Sequence, residues 1–309
     1  MFKAPISWSL RKFSKAVSLG LVIAALSSSP VLADWRSDMG VFRVGISSIE
    51  GEALRAGTFD EFRKLLADTL NMPVEIFQAN DASTLIDAMA SSRIEYAILP
   101  AAGYATLDIF CSCVLPIAAP IAENGSDAVR SVFITDQNRI ATLADVSGRR
   151  IAVGPPASLS GFMLPYAFFQ ASGKSLENSG AIIVETTSQT EAVKLFHDGE
   201  VDGFFAWEST TLGSEKSYKN EFLNTADENS ELRPVILWRS EPVRYGPHVV
   251  RNNLPKEAVD ALSSALLSMN EKAPLAYDAV SPELAGGMQT VSRDDYNVVS
   301  TMVRALAEK

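Results

Sequence analysis

The hardest constraint on this chain is an alternation of strands and helices that runs once, stops, and starts again. Residues 41–46 make a short apolar strand. Residues 59–70 follow with Phe59, Phe62, Leu65, Leu66 and Leu70 at helical spacing. Asn71-Met72-Pro73 ends that helix, because proline has no N–H to continue it. Strand 74–78, helix 82–89, strand 96–99, helix 103–110 and strand 114–118 complete the first run. The second run has strands at 131–135, 151–153, 182–185 and 203–206, with helices at 162–171 and 190–197. Two later strands, 235–238 and 248–250, and two later helices, 258–269 and 296–306, must join one of the two sheets. Alternation of this kind predicts an α/β fold with each sheet mostly parallel and flanked by helices. The expected architecture is a two-lobed clamshell, with lobe 1 formed by residues 34–128 and 241–309 and lobe 2 by 129–240. Open α/β sheets meet ligands outside the carboxyl ends of their strands. In a clamshell those ends face one another across a cleft.

Residues 1–33 read as a secretory signal. Lys3, Arg11, Lys12 and Lys15 form a basic leader, an apolar run covers 16–26, and Val31-Leu32-Ala33 offers small residues for cleavage before Asp34. The apolar run is shorter than the ~20 residues that span a bilayer. The alternative is an uncleaved anchor. The remainder, 34–309, is expected to be exported, and its length suits two lobes.

Charge narrows the partners. The whole chain carries −10, and removing the four leader cations leaves −14. Such a balance argues against nucleic acid or an anionic membrane as partner. A small anion is still compatible, since backbone dipoles can dominate inside a pocket. Cys111 and Cys113 are the only cysteines, and His197 and His248 the only histidines. The expectation is two small buried thiols in the apolar stretch 111–119, the alternative being a small strained ring. Neither histidine has a partner at metal-ligand spacing, so no metal and no cofactor is expected.

The sharpest local feature is the loop 154–161 between a strand and a helix, Gly154-Pro155-Pro156-Ala157-Ser158-Leu159-Ser160-Gly161. A helix start presents unpaired N–H groups and a partial positive charge. Two serines and a glycine there make a cradle for an anion. An ordinary serine cap is the competing explanation. Ser47, Ser48 and Glu50 form a second candidate, in the loop after the first strand. Trp207 and Glu208 form a third, with Trp207 walling the cleft and Glu208 meeting an ammonium group; packing and solvent exposure are the plain alternatives.

Enzyme signatures are poor. There is no Gly-x-Ser-x-Gly elbow and no Gly-x-Gly-x-x-Gly. Gly173-Lys174-Ser175 ends like a P-loop, but Phe168 stands where the first glycine is required. No residue is nominated as catalytic.

Four stretches resemble the periplasmic phosphate/phosphite/phosphonate-binding proteins of ABC importers. They are Val44-Gly45-Ile46-Ser47-Ser48-Ile49-Glu50, the stretch 158–165, Gly199-Glu200-Val201-Asp202-Gly203, and the return segment from Trp238-Arg239-Ser240 to Arg251-Asn252-Asn253-Leu254. The resemblance implies a type II clamshell that binds ligand oxygens at Ser158, Leu159, Ser160 and Gly161, with Ser47 and Ser48 contributing from the first lobe. In aminophosphonate binders of this family an acidic residue near Glu208 holds the amine. The chain departs from the pattern at several places. Ala82 follows Asp81 where a tyrosine is usual, and Leu99 replaces an aromatic residue. Gln189 matches a histidine that faces the anion. Arg244 and Tyr245 replace part of an Ile-Pro segment, and a second acidic position falls on Gly246. Arg244 is expected either to contact the anion or to lie on the surface.

The expected function is capture of a small anionic ligand for an ABC permease, by a monomer. A module reporting a solute to a sensor kinase, and an enzyme on the same fold, are the rivals.

Overall fold

A computed structural model describes residues 34–47, 57–213 and 232–309. The expected leader, Ser48 and Glu50 lie outside these described residues. In chain order, α1 (Trp35–Met39) precedes β1 (Phe42–Ser47), α2 (Asp60–Leu70), β2 (Val74–Ala79), α3 (Ala82–Ala90), β3 (Tyr96–Ile98), α4 (Ala101–Cys111) and β4 (Val114–Pro120). Next come β5 (Ala128–Asp136), β6 (Arg150–Val153), α5 (Leu164–Phe168), β7 (Gln170–Ala171), β8 (Lys174–Ser175), β9 (Ile182–Glu185), α6 (Gln189–His197) and β10 (Gly203–Thr210). The chain ends with β11 (Pro234–Arg239), β12 (Val243–Arg244), β13 (His248–Arg251), α7 (Lys256–Leu267), α8 (Met269–Lys272), α9 (Pro274–Val280), β14 (Met288–Gln289) and α10 (Asn297–Ala307).

Local chemistry explains the boundaries. Phe62, Leu66 and Leu70 recur every four residues and are the buried face of α2. Asn71 then takes a left-handed conformation and closes the helix. Asp81 caps α3 by accepting from the Thr84 N–H at 2.7 Å. Ser188 caps α6 by accepting from the Glu191 N–H at 3.2 Å.

The first sheet runs β14-β4-β13-β3-β1-β2, and the second runs β11-β5-β10-β6-β9, with β12 also on β5. In the first, β1 is parallel to both neighbours, Val44 lying opposite Ile76 and Tyr96. In the second, β6 is parallel to β9 and β10. Both sheets are mixed, which corrects the expectation of mostly parallel sheets. Strand β13 runs antiparallel between β3 and β4, and β5 is antiparallel to β10, β11 and β12. The cause is connectivity: the reversed strand of the first sheet is β13, which returns late in the chain, that of the second is β5, by which the chain enters it, and the alternation pattern does not record direction.

Each sheet is covered on both faces. Phe42, Phe62, Leu66, Leu262 and Tyr277 belong to one core of the first sheet, and Leu85, Tyr104, Leu107, Val249 and Val299 to the other. Phe133, Phe169 and Phe205 anchor one side of the second sheet, and Phe196 and Phe204 the other. Helix α10 packs on both α4 and α5, so the last helix ties the two bodies together.

Two further expectations are corrected. The helix placed at 162–171 begins instead with a wide π-turn at Leu159–Met163 and stops at Phe168. Pro165 has no N–H to give the Gly161 carbonyl, which accepts from Gly154 N at 3.0 Å instead. Ser172 and Gly173, both at positive φ, then turn β7 back onto β8. The cysteines are not free buried thiols: Cys111 and Cys113 are half-buried and joined by a disulfide. Ser112 adopts φ 47° at the end of α4. The chain thereby curls so that the two Cα atoms stand 5.0 Å apart, within bonding range.

Candidate functional site

Two neighbouring cavities open where the sheets meet. The first, about 510 Å³, is lined by the carboxyl ends of three strands: Ile46 and Ser47 of β1, Leu99-Pro100 after β3, and Pro120 of β4. Segment 278–284 and Thr58, Phe59, Tyr245, Gly246 and His248 complete it. The second, about 620 Å³, is lined by Leu159 and Ser160 of the π-turn, Val129 of β5, and Trp207 and Ser209 of β10. Residues 122–124 complete it together with Tyr245, Glu283 and Leu284, which border both cavities.

The π-turn is held by close backbone packing. A Cβ on Gly161 would stand 2.8 Å from Ser158 Oγ and 3.2 Å from Gly154 Cα, so only glycine fits there. Ser158 Oγ accepts from the Gly161 N–H at 3.0 Å, which spends that hydroxyl and that amide inside the turn. The Ser158 carbonyl accepts from the Phe162 and Met163 N–H groups. The amides that precede any acceptor within the turn are those of Leu159 and Ser160. Ser131 Oγ donates to the Ser160 carbonyl at 2.6 Å, fixing the turn to β5. Ser131 is itself locked, its N–H donating to Ser240 Oγ at 3.0 Å. Ser160 therefore meets the cavity with its position set from behind, and its hydroxyl has no partner among the described residues.

Strand register sorts the third candidate pair. Residues 207–209 lie within β10, not in a loop after it. Trp207 and Ser209 alternate toward the cavity, while Glu208 points to the other face. Glu208 is 3% exposed and takes Arg130 Nε at 2.9 Å and Arg239 Nε at 3.0 Å. Two guanidiniums thus claim the carboxylate that was expected to hold an ammonium group.

Arg244 answers neither expectation. It is buried, and it bridges Asp127 Oδ2 at 2.9 Å and Asp295 Oδ1 at 3.1 Å. Burial pushes the Asp295 carboxyl up, but hydrogen bonds from Ser292 and the Arg244 charge outweigh it and hold the group below its ordinary value. Tyr245 does border both cavities, with its hydroxyl 3.4 Å from Ser126 Oγ. The Tyr245 carbonyl accepts from Tyr296 Oη at 3.0 Å. Gln189 donates from Nε2 to the Phe205 carbonyl at 3.2 Å and lines neither cavity. At position 246 a Cβ would lie 2.3 Å from the Leu99 carbonyl oxygen, so no side chain can stand where the second acid was sought.

The structure therefore brings Leu159, Ser160, Trp207 and Tyr245 together, with Ser47 in the adjoining cavity. Sequence reasoning included Ser209 in the third candidate segment but did not place His248, or the acids Glu123, Asp278 and Glu283, on the walls. Among the described lining residues there is no lysine or arginine. Among the described residues no group of His, Cys, Asp or Glu could hold a metal ion, and no helix is long and apolar enough to cross a membrane.

Comparison with known proteins gives a consistent result. The model of a family described as "ABC transporter, phosphonate, periplasmic substrate-binding protein" matches residues 44–296. The phosphate-import protein PhnD of Mycolicibacterium smegmatis is 23% identical over 262 residues, covering 78% of each chain. A Xanthomonas citri protein solved bound to ATP superposes with a TM-score of 0.62 at 15% identity, over 87% of this chain and 98% of that one. PhnD1 of Prochlorococcus marinus, in complex with methylphosphonate, superposes with a TM-score of 0.58 at 15% identity, over 87% and 99% of the two chains. The fold is that of the type II periplasmic binding proteins.

Proposed function

This chain belongs to the periplasmic phosphonate-binding proteins of ABC transporters, and from that premise we propose that it captures a small oxyanion of the phosphonate, phosphite or phosphate class in the joined cavities. The observation that carries the ligand assignment is Ser160. Its carbonyl is tethered to Ser131, while its amide and hydroxyl stand at a cavity wall at the start of a turn. Oriented amides stabilise a bound anion without a cationic side chain. The relatives point the same way, one being named for phosphate import and another holding methylphosphonate.

The acids on the walls limit the charge such a guest carries. Repulsion from Glu123 and Glu283 grows with ligand charge, so a singly charged oxyanion is favoured over a dianion. We take residues 1–33 as a cleaved leader, and the lobes as 34–128 with 241–309, and 129–240. The partner is an inner-membrane permease, the protein acts as a monomer, and binding without turnover is its role. Closure of the lobes on the ligand would present a distinct shape to that permease.

Calorimetric titration of the mature protein with methylphosphonate and with phosphate tests this. Binding is expected, and Ser160→Ala should weaken it by ~1–3 kcal/mol, the cost of a lost partner to a charged group. Absence of binding to every oxyanion tried overturns the ligand class, and an unchanged affinity in the variant moves the anion away from the turn.

A further inference from the structure

The first cavity has a chemistry that a bare oxyanion does not use. Its walls are largely apolar, with Ile46, Phe59, Ile98, Leu99 and Pro120 among them. His248 of β13, 1% exposed, is also on its lining. One edge of the imidazole is engaged, Nδ1 being hydrogen-bonded to the Tyr96 hydroxyl. The other nitrogen, Nε2, is buried and has no partner among the described residues.

Satisfaction of polar groups selects the tautomer. If Tyr96 donates to Nδ1, one unmet group is left, the Nε2–H. If Nδ1 carries the proton instead, both the buried Tyr96 O–H and the Nε2 lone pair go unmet, which costs more. Burial also drives the imidazole pKa down to about 3, so the ring is neutral under ordinary conditions. The result is an uncharged, unpartnered donor on a residue of the cavity lining, at the edge of the ring away from Tyr96. Such a donor does not attract net charge; it discriminates ligands that bring an acceptor atom from those that do not.

We propose that the first cavity is a subsite for the organic part of the ligand, taking an apolar substituent that carries a neutral oxygen acceptor, which the His248 Nε2–H recognises. The inference rests on the oxyanion sitting at Ser160, one cavity away across Tyr245 and Leu284. Asp278 and Glu283 on the same wall exclude a second negative charge on that substituent. The ligand is therefore an organic oxyanion with an oxygenated, uncharged arm, and inorganic phosphate and methylphosphonate fill only half of the site.

The experiment is calorimetry on the mature protein with three probes: methylphosphonate, n-butylphosphonate and 2-methoxyethylphosphonate. The last two differ by one methylene replaced with an ether oxygen. Butylphosphonate should bind at least about tenfold tighter than methylphosphonate, because it buries added methylenes. The methoxyethyl compound should bind about threefold to tenfold tighter than butylphosphonate, the worth of one hydrogen bond. His248→Phe should bring the ratio of those two affinities to one or below. Imidazole ¹⁵N shifts of the unsubstituted protein should show the proton on Nε2 and a displacement on adding the ether, a readout that needs no variant. Equal binding of the two longer probes, tightest binding of methylphosphonate, or a proton on Nδ1 overturns the subsite while leaving the oxyanion reading standing. Failure of all three to bind overturns both.

Discussion

Arg244 and Asp127 lie 117 residues apart in sequence and 2.9 Å apart in the fold, and Asp295 closes the same guanidinium from its other side. The triad fastens β12 to the segment ahead of β5 and to the turn that starts the last helix. It holds Tyr245, the next residue, at the border of both cavities. Arg244→Met leaves two partly buried carboxylates without a counter-charge. The expected loss is about 3 kcal/mol of stability, read as a shift in the denaturant midpoint with the slope unchanged. A midpoint equal to that of the parent protein would show that the triad contributes nothing net.

Gly246 tests how tightly the return segment is seated. Its would-be Cβ meets the Leu99 carbonyl oxygen at 2.3 Å and Pro100 Cα at 3.0 Å, and neither backbone atom can step aside. Gly246→Ala should lower stability by about 1–3 kcal/mol, the usual penalty of overpacking. It should weaken ligand binding as well, since the residue lines the first cavity. Thermal melting with and without methylphosphonate reads both effects; an unaltered melting temperature would contradict the close approach.

His248 gives the fold a sensitivity to acid. Its pKa in the fold, about 3, lies below its ordinary value, and burial is the cause. Between ~6.5, the unfolded value, and about 3 the unfolded chain binds a proton that the native ring refuses. Stability should therefore decline as the pH falls through that window, and this contribution should vanish above it. Denaturation at stepped pH should show a shallower decline for His248→Gln. Parallel profiles for the two proteins would mean the imidazole protonates inside the fold without cost.

Glu208 separates architecture from recognition. Held by Arg130 and Arg239 on the face of β10 away from the cavity, it should matter for folding only. Glu208→Gln should destabilise the protein by about 1–3 kcal/mol, through weakened charge-assisted hydrogen bonds. The ratio of affinities for 2-aminoethylphosphonate and n-propylphosphonate should stay within a factor of about two, since no contact to the amine is lost. Selective loss of the amine-bearing ligand would place the carboxylate in the cleft of the bound state.

Much of this organisation was legible in the residues. Periodicity located the longer strands and helices, because Phe62, Leu66 and Leu70, or the apolar run of β6, can be buried in only one kind of element; the short α1, β7, β8, β12, α8, α9 and β14 went unread. The segment 158–161 drew notice as serines and a glycine between a strand and a helix, but its π-turn was not legible, and Ser158 proves to be the ordinary cap that the sequence also allowed. Strand direction was not legible, since β13 reads the same whichever way it runs. Nor was the fate of Glu208 and Arg244. A carboxylate and a guanidinium near a cleft have the same spelling whether they face a guest or each other, and partners such as Asp127 are far away in sequence. The disulfide was missed because sequence spacing alone does not reveal the left-handed turn at Ser112.

The placement of β13 bears on how the chain is made. The strand that completes the middle of the first sheet, between β3 and β4, begins at residue 248. Until the ribosome has passed that point, two inner edges have no mate, and the N-terminal part of the protein cannot finish folding by itself. The first sheet therefore reaches its native order only once the last fifth of the chain is being made.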